Sequence, residues 1–142
     1  MISNSVIDAS TVEAYRSTIY RVNGNPQISL IVDAASSALL SLHQSANVSS
    51  SAFITAYNPF SEVVSTSENL RLQGLLAIEL KSMNLQYLEG VGQHPSNQWA
   101  GEPSFLVLGI DLDVAKRLGT QFKQNAILWC GSDAVPQLVL LR

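Results

Sequence analysis

The chain has 142 residues, of which 46% are hydrophobic and 13% are charged, and its net charge is −3. A chain of this length buries roughly 68–70% of its unfolded surface, so we expect one domain that needs no disulfide or metal for stability. The apolar content excludes a largely disordered chain, and eight scattered Lys and Arg residues argue against a nucleic-acid partner.

The beginning of the chain is polar and is followed by a predicted hairpin. We expect residues 1–14 to fray or to form a short helix, and residues 15–142 to form a single globular α/β domain. STIYRV (17–22) and QISLIV (27–32) are rich in β-branched and aromatic residues and predict two strands. The Asn-Gly pair at 23–24 tolerates positive φ and predicts a tight turn between them.

A helix and a buried strand are predicted next. Asp33 suits a helix N-cap, and the following helix has an apolar face formed by Leu39, Leu42, His43 and Ala46. AFITAY (52–57) is nearly all apolar, which is typical of a strand inside a sheet. The strand, helix and strand together predict a right-handed crossover between two parallel strands.

A second helix is predicted over 65–84, because Ser65 and Glu68 have the spacing of a capping box. Its predicted core stripe consists of Leu72, Leu75, Leu76, Leu80 and Met83. Residues 85–92 and 104–110 predict two further strands. The loop between these strands has about a dozen residues, and loops of that length are often functional.

The last elements are a third helix and two strands. Asp111 suits the N-cap of a helix whose core side carries Val114, Leu118 and Phe122. Residues 126–130 and 137–141 predict the closing strands. The predicted order is ββαβαββαββ, and it indicates an α/β fold, with α+β as the alternative, in which three helices pack on one mixed sheet of about seven strands.

Polar residues gather where the strand 52–57 ends in Asn-Pro. Ligands in sheets with parallel strands bind beyond the carboxyl ends of the strands, and a helix N-terminus favours anions. Asn69 lies in the first helical turn on the core side, so it can meet this corner. We therefore expect a mouth that binds a small polar or anionic ligand, formed by Thr55, Tyr57, Asn58, Ser67 and Asn69. The alternative is that these residues only close turns and cap the helix.

Four motifs in this order resemble one protein family: TAYNP (55–59), Glu68-Asn69, EPS (102–104) and FKQNAILW (122–129). The chain resembles the bacterial domain-of-unknown-function family numbered 3293 over about 53–130. The resemblance implies no activity. It implies that the following residues occupy signature positions of the family: Thr55, Asn58, Pro59, Asn69, Trp99, Glu102, Pro103, Ser104, Gln124 and Ala126.

Two of these residues carry the most chemistry. Glu102 either accepts hydrogen bonds from a ligand or acts as a base, or it only fixes its loop. Gln124 offers a donor and an acceptor, which suits recognition of a base or sugar edge and equally suits bridging two loops. With Trp99 as a lid or stacking surface, the predicted ligand-binding set is Thr55, Asn58, Ser67, Asn69, Trp99, Glu102, Ser104 and Gln124.

The remaining reactive residues predict neither a metal nor a cofactor. His43 is expected to pack on its helix, and His94 in the long loop is the second candidate for acid–base catalysis besides Glu102. Cys130 is alone and is expected to be a buried, inert thiol. Gly-Val-Gly at 90–92 leads into a loop rather than a helix, so it is not a dinucleotide fingerprint.

Three functions fit these patterns. The first is a small-ligand site, for a nucleotide or another polar metabolite, and the second is a noncatalytic interaction or regulatory module that self-associates as a homodimer. The third is a hydrolase or transferase that uses Glu102 or His94 as its base. The sequence contains neither a signal-peptide pattern nor an apolar run that could cross a bilayer, so we expect a cytoplasmic protein without membrane contact.

Overall fold

The computed structural model describes residues 5–94 and 101–142. In this part of the chain, one seven-stranded sheet carries four α-helices and one short 3₁₀ turn. The elements in chain order are α1 (Ala9–Ser17), β1 (Ile19–Val22), β2 (Ile28–Leu30), α2 (Ser37–Ser45), β3 (Ser51–Ile54), the 3₁₀ turn (Pro59–Ser61), α3 (Thr66–Ser82), β4 (Tyr87–Gln93), β5 (Glu102–Leu108), α4 (Leu112–Gln121), β6 (Ala126–Cys130) and β7 (Pro136–Leu140). The α/β class and the seven strands are confirmed.

The strand order is β2-β1-β4-β5-β3-β6-β7, and each of the six pairings is antiparallel. The predictions of a mixed sheet and of a crossover between parallel strands are therefore wrong. β2 lies at one edge, whereas β3 lies between β5 and β6. A strand-helix-strand pattern in the sequence does not reveal whether its two strands are neighbours in the sheet. The continuous apolar run of β3 reflects burial on both faces, which β3 shares with strands of parallel sheets.

The two faces of the sheet are covered by different helices. Alternation along β3 directs Ile54 to one face and Phe53 to the other. Helices α3 and α4 cover the Ile54 face, where Leu76 and Leu118 are fully buried. Helix α2 covers part of the Phe53 face through Leu39. The remainder of the Phe53 face is left for the cavity described below.

The N-terminal half contains three differences from the sequence prediction. Helix α1 is the short helix that was one of the two expectations for residues 1–14, and it adds a fourth helix to the predicted three. Because it extends to Ser17, it replaces the start of the predicted first strand, which begins at Ile19 instead. The hairpin is confirmed, but its loop covers residues 23–27, so the predicted tight turn at 23–24 is wrong. Gly24 does not adopt positive φ, because Gly109 is the only described glycine that does. Asp33 is not the N-cap of α2, because its φ of 67° places it in a left-handed turn. Ser36 caps the helix by accepting a hydrogen bond from Leu39 N at 3.0 Å.

The buried side of helix α3 combines two leucines of the predicted core stripe with two polar residues. Its buried side is formed by Asn69, Gln73, Leu76 and Leu80. Leu75 and Met83, which were expected in the core stripe, are 41% and 40% exposed. The reason is that the first two turns pack against the main chain that leaves β3, where hydrogen-bonding groups are required.

Half of the predicted capping box of α3 is present. The Ser65 hydroxyl accepts a hydrogen bond from Glu68 N at 3.2 Å. The Glu68 carboxylate binds Arg71 instead of reaching back to the N-cap residue. In α4, the expected core residues Leu118 and Phe122 are buried.

Candidate functional site

A cavity of about 390 Å³ lies against the Phe53 face of the sheet. Ala14, Tyr15 and Thr18, at the end of α1, form one of its walls. The sheet residues on the opposite side come from β1, β3, β4, β5, β6 and β7. Helix α1 thus closes over a part of the sheet that α2 leaves uncovered.

One corner of the cavity is held by a pair of asparagines. Asn58 follows β3 with a left-handed backbone (φ 47°), and its main-chain N donates to Asn69 Oδ1 at 2.8 Å. Asn69 Nδ2 donates back to Asn58 Oδ1 at 2.9 Å. Asn69 is only 6% exposed and does not line the cavity, so it supports the corner from the protein interior. The hydrogen bonds of α3 therefore fix the position of the Asn58 side chain.

The Asn58 amide in turn orients a carboxylate. Asn58 Nδ2 donates to Glu102 Oε2 at 2.9 Å. Glu102 opens β5 and pairs with Gly92 of β4, on the same face as Ser104. Burial raises the pKa of Glu102 above its ordinary value, and the hydrogen bond from Asn58 partly offsets this effect. Such a carboxylate is a stronger base and a better proton acceptor at neutral pH than an exposed one.

Three further polar residues line the cavity while they bind the main chain. Thr55 Oγ1 donates to Pro103 O at 2.7 Å and accepts from Tyr57 N at 3.1 Å. Ser104 Oγ donates to Glu102 O at 3.0 Å. Gln124 Nε2 donates to Tyr57 O and to Phe122 O, both at 3.2 Å. These bonds tie the ends of β3, β5 and α4 together around the Glu102 carboxylate.

Four aromatic residues of the described chain also line the cavity, namely Tyr15, Tyr20, Phe53 and Tyr57. The Tyr20 and Phe53 rings meet edge to face, with centroids 5.2 Å apart and planes at 73°. The Tyr20 hydroxyl donates to Tyr15 O at 2.7 Å, and burial raises its pKa. The cavity is therefore mostly aromatic and apolar, with a few oriented polar groups.

The structure brings most of the predicted site residues together. Five of the predicted ligand-binding residues line this one cavity, together with His94: Thr55, Asn58, Glu102, Ser104 and Gln124. Asn69 lies beneath the lining. Ser67 is exposed on α3, where its hydroxyl contacts Ser65 at 3.2 Å, and it does not line the cavity. Trp99 lies outside the described residues.

A family model for a protein of unknown function (DUF3293) matches residues 54–127, which is more than half of the chain. The chain belongs to the DUF3293 family. The matched segment contains the Asn58, Asn69, Glu102 and Gln124 positions and confirms the resemblance seen in the sequence motifs. Comparisons with curated proteins and with solved structures find no match.

Sequence reasoning on this DUF3293 protein missed the aromatic half of the site. Tyr15 and Tyr20 lie before the matched segment, in elements whose position against β3 is a long-range feature. One signal was present in the sequence: Gly90 and Gly92 are two residues apart in β4, so one face of that strand lacks two side chains. Gly92 lines the cavity, and the absence of its side chain leaves room there.

The described residues contain neither a metal-binding cluster nor a helix that could span a membrane. Residues 5–94 and 101–142 contain no group of three or more His, Cys, Asp or Glu side chains that could hold a metal ion. In the same ranges, none of the helices has both the length and the apolar character needed to cross a bilayer.

Proposed function

We propose that this DUF3293 protein binds a small organic molecule in the cavity beside β3. The observation that carries the proposal is the position of Glu102, whose oriented, part-buried carboxylate faces a cavity lined with aromatic rings. The volume of about 390 Å³ falls within the roughly 300–1,000 Å³ that is typical of ligand pockets. An apolar lining with few convergent polar groups is also the usual composition of such pockets.

The location of the proposed site differs from the corner expected from the sequence. The first turn of α3, with Ser67 and Asn69, does not contribute to the cavity lining. The described lining also contains no Lys or Arg. These two features favour a neutral or cationic ligand over an anionic one such as a nucleotide phosphate, because phosphate sites are usually built with Lys or Arg.

A cavity-filling variant tests this proposal. A Cβ atom added to Gly92 would lie 3.4 Å from Tyr20 Cδ1, which is an ordinary van der Waals contact, so position 92 accepts a Cβ. Gly92→Val adds two further methyl groups at a position that lines the cavity, and they should fill part of it. The control is Gly74→Ala on α3, where an added Cβ meets nothing within 4 Å.

We would screen a library of neutral, cationic and anionic fragments by ligand-detected NMR against the wild type and both variants. We expect a group of fragments to bind the wild type and Gly74→Ala but not a folded Gly92→Val variant. Fragments that bind all three proteins equally, or a library with no binder, would contradict the proposal. That result would favour the noncatalytic interaction module instead.

A second candidate function is that of a hydrolase or transferase with Glu102 as its base. It is supported by Glu102 and His94 lining the same cavity and by the raised pKa of Glu102. The test is a panel of p-nitrophenyl esters, phosphoesters and glycosides. Turnover that is lost in Glu102→Gln and kept in Ser67→Ala would support this function, whereas turnover that survives in Glu102→Gln would exclude Glu102 as the base.

A further inference from the structure

The described lining of the cavity contains one carboxylate and neither Lys nor Arg. Glu102 is the only Asp or Glu in this lining, which also contains one histidine, His94. Residues 95–100 (PSNQWA) contain no Asp, Glu, Lys or Arg. The ion pairs found in the described chain, Arg16–Asp33 and Arg71–Glu68, lie elsewhere and are exposed. A part-buried carboxylate without a counter-charge is costly, because desolvation is not repaid by pairing.

Among the described residues, the two oxygens of this carboxylate differ in their hydrogen bonding. Asn58 Nδ2 binds Oε2, and Asn58 is itself held by Asn69. Within the described part of the chain, no donor reaches Glu102 Oε1. A ligand with a positively charged N–H or N–CH₃ group would supply both the missing charge and the missing contact.

The aromatic lining fits the same chemistry. The rings of Tyr15, Tyr20, Phe53 and Tyr57 line the cavity, and the planes of Tyr20 and Phe53 are 73° apart, so these two rings form a corner rather than a stack. Aromatic faces attract cations within about 6 Å, and the attraction is stronger where water is excluded. Aromatic residues grouped in one cavity recognise ammonium groups with apolar substituents, and here they share the cavity with a carboxylate.

We infer that the ligand of this cavity is a small organic cation, in which an ammonium or amidinium group is joined to an apolar body. The Glu102 carboxylate pairs with the charge, and the aromatic rings surround the apolar substituents. This inference rests on the proposed function and narrows it to one ligand class. It assigns Asn58 and Asn69 as positioning residues that act through Glu102.

The test compares cations with uncharged molecules of the same shape. Choline is paired with 3,3-dimethylbutan-1-ol, and benzylamine with benzyl alcohol, in NMR titrations at about pH 8, where carboxylates are ionised. The proteins are the wild type, Glu102→Gln and Asp113→Asn. Asp113 is exposed on α4 away from the cavity, so Asp113→Asn removes the same charge from the protein without changing the site.

In the wild type and Asp113→Asn, we expect at least one cation to bind roughly tenfold or more tightly than its uncharged partner. In Glu102→Gln, this preference should fall to about threefold or less. Equal binding within each pair, a preference that survives in Glu102→Gln, or no binding of either cation would overturn the inference.

The inference and the proposed function fail in different ways. If uncharged compounds bind the wild type, and Gly92→Val removes that binding while the cations show no advantage, the cavity is a ligand site and the inferred charge is wrong. If no compound of any charge binds, both the ligand class and the site are wrong.

Discussion

Asn58 and Asn69 are eleven residues apart and exchange hydrogen bonds in both directions. The first bond satisfies the main-chain N–H of Asn58 in its left-handed conformation, and the second fixes the side chain that orients Glu102. A left-handed backbone at a residue other than glycine costs about 1–3 kcal/mol where it is strained. Asn69 therefore stabilises the corner and shapes the cavity with the same side-chain amide.

Asn69→Ala should lower both stability and order at the cavity. The substitution leaves the part-buried Asn58 N–H without its acceptor, so we expect a loss of about 2–4 kcal/mol and a fall in Tm of roughly 5–15 °C. Thermal unfolding followed by circular dichroism measures this. Ser67→Ala, on the exposed side of the same turn, should change stability by less than about 0.5 kcal/mol. Equal effects of the two variants would show that the asparagine pair contributes little.

Gly90→Ala and Gly74→Ala should change the free energy of unfolding in opposite directions. A Cβ at Gly90 would overlap the carbonyl oxygen of Arg21 on the paired strand and lie 3.0 Å from the Phe53 ring, so we expect a loss of about 1–3 kcal/mol or more. A Cβ at Gly74 meets nothing within 4 Å in a helix interior, so a gain of about 0.5–1 kcal/mol is expected. Urea denaturation of both variants checks the signs, and a neutral Gly90→Ala would refute the close approach of β1 and β4.

His43 should make the protein less stable in mild acid. It is 2% exposed, its Nε2 lies 2.8 Å from Ser51 Oγ, and burial lowers its pKa below the ordinary value of 6.5. Because the unfolded chain binds the proton more readily, this contribution to stability is fully present above about pH 6.5 and is lost as pH falls through the lower folded pKa. As pH is lowered, the Tm of the wild type should therefore decrease more steeply than the Tm of His43→Gln. Parallel plots of Tm against pH for the two proteins would contradict this prediction.

The contribution of Glu102 to stability should change with pH in the opposite direction to that of His43. Burial raises its pKa above 4.5, so the folded state binds this proton more tightly than the unfolded chain does. Its contribution to stability is present in acid and is lost as pH rises through the raised pKa. Relative to Glu102→Gln, the wild type should therefore lose stability as pH rises above about 4.5. Unfolding midpoints in urea at a series of pH values measure the difference, and an unchanged difference would show that the carboxylate is not desolvated.

Cys130 should be inert in the folded protein. It is fully buried, and burial raises the pKa of its thiol to about 12. Since the thiolate is the reactive form, 5,5′-dithiobis(2-nitrobenzoic acid) should react with it only when the sheet opens. The labelling rate should rise with urea in proportion to the unfolded fraction. Rapid labelling in native buffer would place Cys130 near the surface.

The local patterns in the sequence were sufficient for most elements. The hydrophobic spacing of α2, with Leu39 and His43 buried, and the Ser65 cap of α3 depend on neighbouring residues only. The motifs around Asn58, Glu102 and Gln124 also identified one side of the cavity. These features were predictable because helix periodicity and capping are set within a few residues of each position.

The strand order and the aromatic half of the cavity were decided only by tertiary structure. The sequence by itself determined the α/β class, seven strands and a polar cluster at the end of β3, because each of these follows from local spacing. It did not determine that β5 and β6 flank β3, or that Tyr15 and Tyr20 come to line the same cavity as Glu102. Those placements depend on pairings between distant segments, and the apolar pattern of a buried strand is compatible with several partners.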